Sequence, residues 1–153
     1  MTAPAGQRRG RAIAMTTAEV DEFLAAERTC RVATASRDGR PHVAPLWFTW
    51  DGTSLWLNSV VRSQRWTDLE RDPRCVVHST VSDKAGTEGD VKIYGRAVAV
   101  DAPDEKERYC RALEARIGWR PEGDFHLFAV EITEVGYFVV ADGGHRTRTW
   151  RPS

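Results

Sequence analysis

Two Asp-Gly pairs, Asp38-Gly39 and Asp51-Gly52, constrain this chain more than any other feature of its sequence. A two-residue type I′ turn needs positive φ at both central positions, and Asp-Gly supplies them with little strain. The runs around the pairs are of strand type: TCRVATA before the first, PHVAPLWFTW between them and SLWLNS after the second. Short β-branched and aromatic runs joined by such turns predict a three-stranded antiparallel meander. Pro45 lies inside the middle run and lacks the N–H that a central strand would use. That strand is therefore expected at an edge, at a bulge or where a barrel splits.

The flanking segments extend the pattern. Thr16 or Thr17 is positioned to cap a helix over TTAEVDEFLAAER, with Glu19 and Asp21 in its first turn and Val20, Phe23 and Leu24 on one face. After Ser59 the period changes: Trp66 and Leu69 stand three apart and Pro73 is a stop, which predicts a short helix from about Ser63. RCVVHSTV reads as a fourth strand, 82–90 as a polar loop and VKIYGRAVAVD as a fifth strand, with Gly95 marking a bulge. Asp101 is expected to cap a third helix that carries Pro103 near its first turn and ends at Gly118. HLFAVEITEVGYFVVAD reads as two more strands, broken near Glu134 or Gly136. Six or seven closely spaced strands with about three short helices predict a mainly β chain, closed as an antiparallel barrel that leaves no free edge.

Composition narrows the function classes. A chain of 153 residues fits one domain, expected over 15–153, with the basic, small-residue stretch 1–14 as a disordered tail lacking the apolar run of a signal peptide. Acidic and basic residues number 22 each, so nothing draws the surface to nucleic acid or to an anionic membrane. Apolar runs are too short to span a bilayer. Cys30, Cys75 and Cys110 show no metal-ligand spacing and read as reduced thiols of a cytoplasmic protein. His42, His78, His126 and His145 likewise show no ligand spacing, so no metal site is expected, and none adjoins a nucleophile motif.

Three segments carry candidate chemistry. The first is Asn58-Ser59-Val60-Val61-Arg62-Ser63-Gln64-Arg65, between a strand end and a helix start. A helix N-terminus offers unpaired N–H groups and partial positive charge. Ser63 as cap, with Arg62 and Arg65 beside it, would add a hydroxyl and two guanidinium forks suited to phosphate. The plainer reading is an ordinary capped helix with two solvated arginines. The second is Ala44-Pro45-Leu46-Trp47-Phe48, whose consecutive bulky residues cannot all face one core and must meet a partner subunit, a planar ligand or both. The third is GGHRTRTW, in which His145, Arg146, Arg148 and Trp150 could reach across a dimer to an anion or form a frayed basic tail.

In order, the first helix, VATASRDGRPHVAPLWFTWDG, a strand ending in serine, and SQRWTDLERDPR resemble the pyridoxamine-phosphate-oxidase-like split-barrel superfamily over residues 15–140. DGRPHVAPLWF and LERDPR are the most specific parts, and VKIYGRAVAVD matches the strand that follows. The resemblance implies an FMN-binding type of split barrel, forming a homodimer with two cofactors in clefts between subunits. It also implies a ring along Pro45, Leu46, Trp47 and Phe48 and a phosphate at Ser59, Ser63, Gln64 and Arg65. Where the family most often has Ser-Arg-Lys this chain has Ser-Gln-Arg, one positive charge fewer, for which Arg62 can compensate. The C-terminal Arg-x-His substrate motif of true pyridoxamine-phosphate oxidases is replaced by His145-Arg146-Thr147-Arg148, so vitamin B6 oxidation is not expected.

The resemblance looks closest to the flavin and deazaflavin branch. It implies an oxidoreductase using FMN or coenzyme F420, with Arg62, Arg65 and Lys92 facing the anionic part and a small conjugated molecule as substrate. The final proton would come from solvent or from Tyr94, Tyr137 or His145. The alternatives are a non-catalytic split barrel that binds a flavin or haem, and a dimeric barrel with an empty cleft and a structural role.

Overall fold

The computed structural model describes residues 15–26, 29–59, 63–79, 87–141 and 144–153, with the side chains of 59 and 141 excepted. The expected tail 1–14, Arg62 and most of the polar loop lie outside the described residues. Eight antiparallel strands and three helices follow in the order α1 (Thr17–Ala26), β1 (Cys30–Ala35), β2 (Pro41–Leu46), β3 (Phe48–Trp50), β4 (Leu55–Ser59), α2 (Gln64–Arg71), β5 (Arg74–Ser79), β6 (Asp90–Val100), α3 (Pro103–Ile117), β7 (His126–Ala141) and β8 (Gly144–Trp150).

The strands form one curled sheet in the order β2-β1-β5-β6-β7-β4-β3, and β8 pairs with β7 off that path. The mainly β split-barrel expectation holds, but with eight strands rather than six or seven, and the sheet is curled rather than closed, so β2 and β3 remain as edges. β2 is an edge strand, as Pro45 requires. The run PHVAPLWFTW divides at Trp47, where the chain leaves β2 at one edge and enters β3 at the other.

Curvature comes from the long β6–β7 pair. Its register shifts between Tyr94 and Gly95, where Tyr94 opposes Glu134 but Gly95 opposes Ile132, leaving Thr133 as the extra residue. The Thr133 hydroxyl donates to the Tyr94 carbonyl at 3.0 Å, satisfying an acceptor at the bulge. The expected break near Glu134 or Gly136 is thus a bulge, and β7 runs unbroken through it, because one extra residue bends a strand without ending it.

Two apolar clusters lie on either side of the sheet. Inside the curl, Leu24, Val32, Phe48, Leu57, Val77, Val91, Ile93 and Val135 pack together, each burial contributing roughly 1.5–3 kcal/mol. Beneath α3, Trp56, Tyr109, Leu113 and Leu127 form the second. Asp101 does not cap α3. Pro103 stands at the first helical position, so the cap falls on Ala102, which has no side-chain hydrogen bond. Gly118, at φ 70°, closes the helix where expected.

Thr16 caps α1 in a reciprocal box: its hydroxyl accepts from the Glu19 N–H at 3.3 Å, and Glu19 Oε2 accepts from the Thr16 N–H at 2.8 Å. Glu19 also receives both arms of Arg148, at 2.7 and 3.0 Å, which fastens α1 to β8. No helix among the described residues is long and apolar enough to cross a membrane.

Two outcomes follow. A Cβ at Gly95 would stand 2.5 Å from Val130 Cγ1 and 2.7 Å from the Glu131 carbonyl oxygen, so Gly95→Ala should lower the melting temperature by the equivalent of about 1–3 kcal/mol. The Arg148 bond and the Thr16 N–H hold the Glu19 carboxyl down at about 2. A folded-state value below the unfolded one stabilises at neutral pH, and that contribution is lost as pH falls from about 4.5 towards about 2. In urea titrations across that window, Glu19→Gln should show a shallower loss of stability with acid than the parent chain.

Candidate functional site

β4 delivers the chain to α2, and the helix starts with Ser63 in an extended conformation, its hydroxyl accepting from the Trp66 N–H at 3.1 Å. The next side chain inward is Arg65. It is buried, 9% exposed, and its Nη2 donates to the Asn58 carbonyl at the end of β4 at 3.1 Å. Its Nε is buried with no partner, and among the described residues no carboxylate pairs with it. Burial lowers the guanidinium pKa, with the nearby Cys30 acting in the opposite direction. An uncompensated buried cation at a capped helix N-terminus is the local chemistry of an anion seat.

Gln64 does not share that direction. Its Nε2 donates to Asp68 Oδ1 at 2.7 Å. Asp68 is buried, 1% exposed, and its Oδ2 accepts the Thr34 hydroxyl at 2.7 Å with His42 Nδ1 at 3.6 Å. Arg71 Nη2 donates to the Ala35 carbonyl. With Arg65 beside Cys30, Asp68 on Thr34 and Arg71 on Ala35, α2 lies along β1 in the same direction. β2 runs antiparallel to β1, Leu46 opposite Cys30 and His42 opposite Thr34. The strip between β2 and α2, the β2–α2 groove below, therefore has Arg65 and Leu46 towards one end and Asp68 and His42 towards the other, and a depression lined by Gln64, Asp68 and the β1–β2 turn opens at the second end.

The strand expected along a ring is placed beside this groove. Pro45 and Trp47 are exposed, Trp47 at 50%, while Leu46 is half-buried. Phe48 is in the core with the Arg116 guanidinium 5.0 Å over its ring. The Asn58 side chain bonds the Tyr109 hydroxyl on the α3 side, where burial raises the tyrosine pKa. Ser59 pairs with His126, whose ring is stacked on Trp66 at 4.2 Å.

Lys92 is elsewhere. It lies on the outer face of β6, in a depression of about 400 Å³ around Gly136 that His78, Asp90, Tyr94 and Phe138 also line. His145 belongs to the same region, its ring stacked on Phe138 at 5.5 Å. Gly144–Trp150 form β8 rather than a tail. Arg148 is committed to Glu19 and Trp150 to the Thr17 hydroxyl at 3.2 Å, while Arg146 is exposed. Tyr137 stands edge-on to Phe23 at 6.0 Å.

Sequence reading missed the cluster of Thr34, His42 and Asp68. The available signal was the spacing within α2: Arg65, Asp68 and Leu69 are buried together, which puts two charged residues on the inward face of a short helix. All three cysteines are buried free thiols, and burial pushes the Cys75 thiol up to about 11.

No curated protein matches the chain. Among solved structures, it is similar to the conserved hypothetical protein Rv2991 from Mycobacterium tuberculosis, at 26% identity and a TM-score of 0.68, over 95% of this chain and 90% of that one. A haem-binding protein from Mycobacterium smegmatis has a TM-score of 0.69 at 19% identity, over 88% of this chain and 58% of its own. A structure described as an F420 reductase has a TM-score of 0.62 at 21% identity, over 75% and 94%. At these lower identities the likeness shows the fold alone. The family model described as pyridoxamine 5'-phosphate oxidase matches residues 16–138, from the first turn of α1 almost to the end of β7. By that match the chain belongs to the pyridoxamine 5'-phosphate oxidase family.

Proposed function

We propose that the chain is an oxidoreductase that holds FMN or coenzyme F420 by its phosphate and serves hydride transfer to or from a small conjugated molecule. The observation that carries this reading is Arg65, a buried cation that has no counter-charge, and whose Nε has no partner, among the described residues. A protein keeps such a group at a cost of several kcal/mol unless something else compensates it. A phosphate oxygen at Nε would supply both the missing hydrogen bond and the missing charge, while Nη2 keeps its bond to Asn58. Apart from the Trp66 N–H, which Ser63 accepts, the first N–H groups of α2 have no intrahelical acceptor. Ser63 is committed to Trp66 and acts by shaping the turn rather than by touching the anion. Gln64 is turned onto Asp68, so the charge it lacks is not replaced by its amide.

The bound flavin or deazaflavin would supply the hydride chemistry itself. The chain's part is to seat the anion at Arg65, to offer the β2 edge from Pro45 to Trp47 to a planar group, and to exclude water. The exclusion is best met by a second copy. A row across the outer face of the sheet, Val43 opposite Ala33, then Val76, then Tyr94, is apolar, with Val43 and Tyr94 exposed at 62% and 40%. That row supports a homodimer, and such a dimer could bring Lys92 and His145 of one protomer towards the groove of its partner. Free buried thiols fit a cytoplasmic setting.

The test is the absorbance spectrum of the purified protein, with mass spectrometry of whatever denaturation releases, followed by melting curves with FMN, riboflavin and F420. FMN or F420 should raise the melting temperature and riboflavin, which lacks the phosphate, should do so much less. Arg65→Met should bind FMN or F420 more weakly by about 1.5–3 kcal/mol, while its ligand-free form unfolds no earlier than the parent. Equal shifts with riboflavin and FMN would remove the phosphate seat. Tight binding without turnover of any reduced cofactor would make the chain a binding protein.

A further inference from the structure

The hydrogen bonds around Asp68 determine which imidazole nitrogen of His42 carries a proton. A carboxylate only accepts, so the Thr34 hydroxyl at 2.7 Å spends its one proton on Asp68. His42 Nδ1 lies 3.3 Å from that hydroxyl oxygen and 3.6 Å from Asp68 Oδ2. Both neighbours are acceptors towards it. Nδ1 must therefore be the donor, and in the neutral ring Nε2 bears the lone pair. Free histidine favours the opposite tautomer.

We infer that Asp68, with Thr34, holds His42 as its Nδ1–H tautomer and leaves Nε2 as the proton-binding atom of the β2–α2 groove, so that an anion seated there binds more tightly once the imidazole is protonated. The second half rests on the anion seat proposed above; the tautomer does not. His42 is half-buried on β2, on the same side as Ala44 and Leu46, and Leu46 opposes Cys30, the neighbour of Arg65. The side chain thus stands at the Asp68 end of that strip, with Arg65 towards the other end.

The sign follows from charge. With His42 neutral, the groove holds one buried cation, Arg65, and one buried carboxylate, Asp68, about 4.5 Å further along the helix axis. That carboxylate opposes an incoming anion. Protonation of His42 at Nε2 sets a positive charge against Asp68 and removes the opposition. The other charged groups facing this end are Arg37, Asp38 and Arg40 from the β1–β2 turn and Glu70 and Arg71 from α2. Carboxylates and guanidinium groups ordinarily titrate well outside the range of imidazoles, about pH 5–8. By reciprocity, a bound anion raises the affinity of His42 for its proton.

Sulfate is the probe, because it stays a dianion over that range whereas phosphate does not. On the full 15N-labelled chain, long-range imidazole spectra should show His42 with Nδ1 protonated in the neutral form, and Thr34→Val should move it towards the Nε2–H form. Sulfate should bind about 3- to 10-fold more tightly at about pH 5.5 than at about pH 8, and should raise the His42 midpoint. Neutral His42 carrying its proton on Nε2 would overturn the tautomer and with it the role of Asp68. Sulfate binding that is flat with pH, with the midpoint unmoved, would overturn the coupling while leaving the seat at Arg65. Absence of sulfate binding at either pH would overturn the seat itself, and the nitrogen shifts alone would then decide the tautomer. His42→Gln, wherever it folds, should bind sulfate equally at both pH values.

Discussion

The β6–β7 pair is the spine from which the rest of the molecule hangs. It hydrogen bonds from Asp90 opposite Phe138 to Val100 opposite Leu127, and the extra residue Thr133 bends it in the middle. β5 joins one side of the pair and β4 the other, so the bend carries those two strands round towards each other. Since α2 is the connection from β4 to β5, its position is a consequence of that curl. Gly95 makes the bend possible, because the Val130 methyl and the Glu131 carbonyl occupy the space a side chain would need.

Placed there, α2 is an unusual helix for its size. Its inward face holds Arg65 and Asp68 beside Leu69 rather than a plain apolar stripe. Burying two charged groups opposes folding by several kcal/mol unless their bonding is complete. For Asp68 it is nearly so, with Gln64 of α2 and Thr34 of β1 donating to one carboxylate and His42 Nδ1 of β2 3.6 Å away. That convergence fixes the helix to the edge hairpin, where few apolar contacts are available. For Arg65 the bonding is incomplete, and the difference between the two residues is the reason for assigning one to structure and the other to ligand.

Local rules made most of the fold legible. Asp38-Gly39 and Asp51-Gly52 both turn the chain with positive-φ glycine, Pro45 lies on an edge strand, Gly95 marks a bulge and Gly118 ends a helix. The errors share a cause. GHRTRTW has no apolar alternation and by itself reads equally as a frayed tail; its order comes from pairing with β7 and from Glu19 and Thr17 on α1, more than a hundred residues away. The Asp101 cap failed by one position, since Pro103 moves the cap to Ala102. At the candidate site, Ser63 and Arg65 were visible because a helix start is a local event. Asp68, Thr34 and His42 were not, because their meeting depends on β1, β2 and α2 coming together.

That long-range meeting also explains why Arg65 has no counter-charge among the described residues. Arg65 and Asp68 stand three apart on one helix face, the spacing at which opposite charges ordinarily pair. Here they do not. Asp68 is drawn towards β1 and β2 by the Thr34 hydroxyl and His42, and its second oxygen is occupied by Gln64. Arg65 is drawn the other way, onto the carbonyl of Asn58. Were Thr34 or Gln64 replaced by an apolar residue, the freed carboxylate could swing to Arg65, neutralise it and close the seat from within. The polar cluster on Asp68 thus keeps the carboxylate away from a cation that it would otherwise quench, and the charge left on Arg65 depends on a hydroxyl and an amide that never touch it.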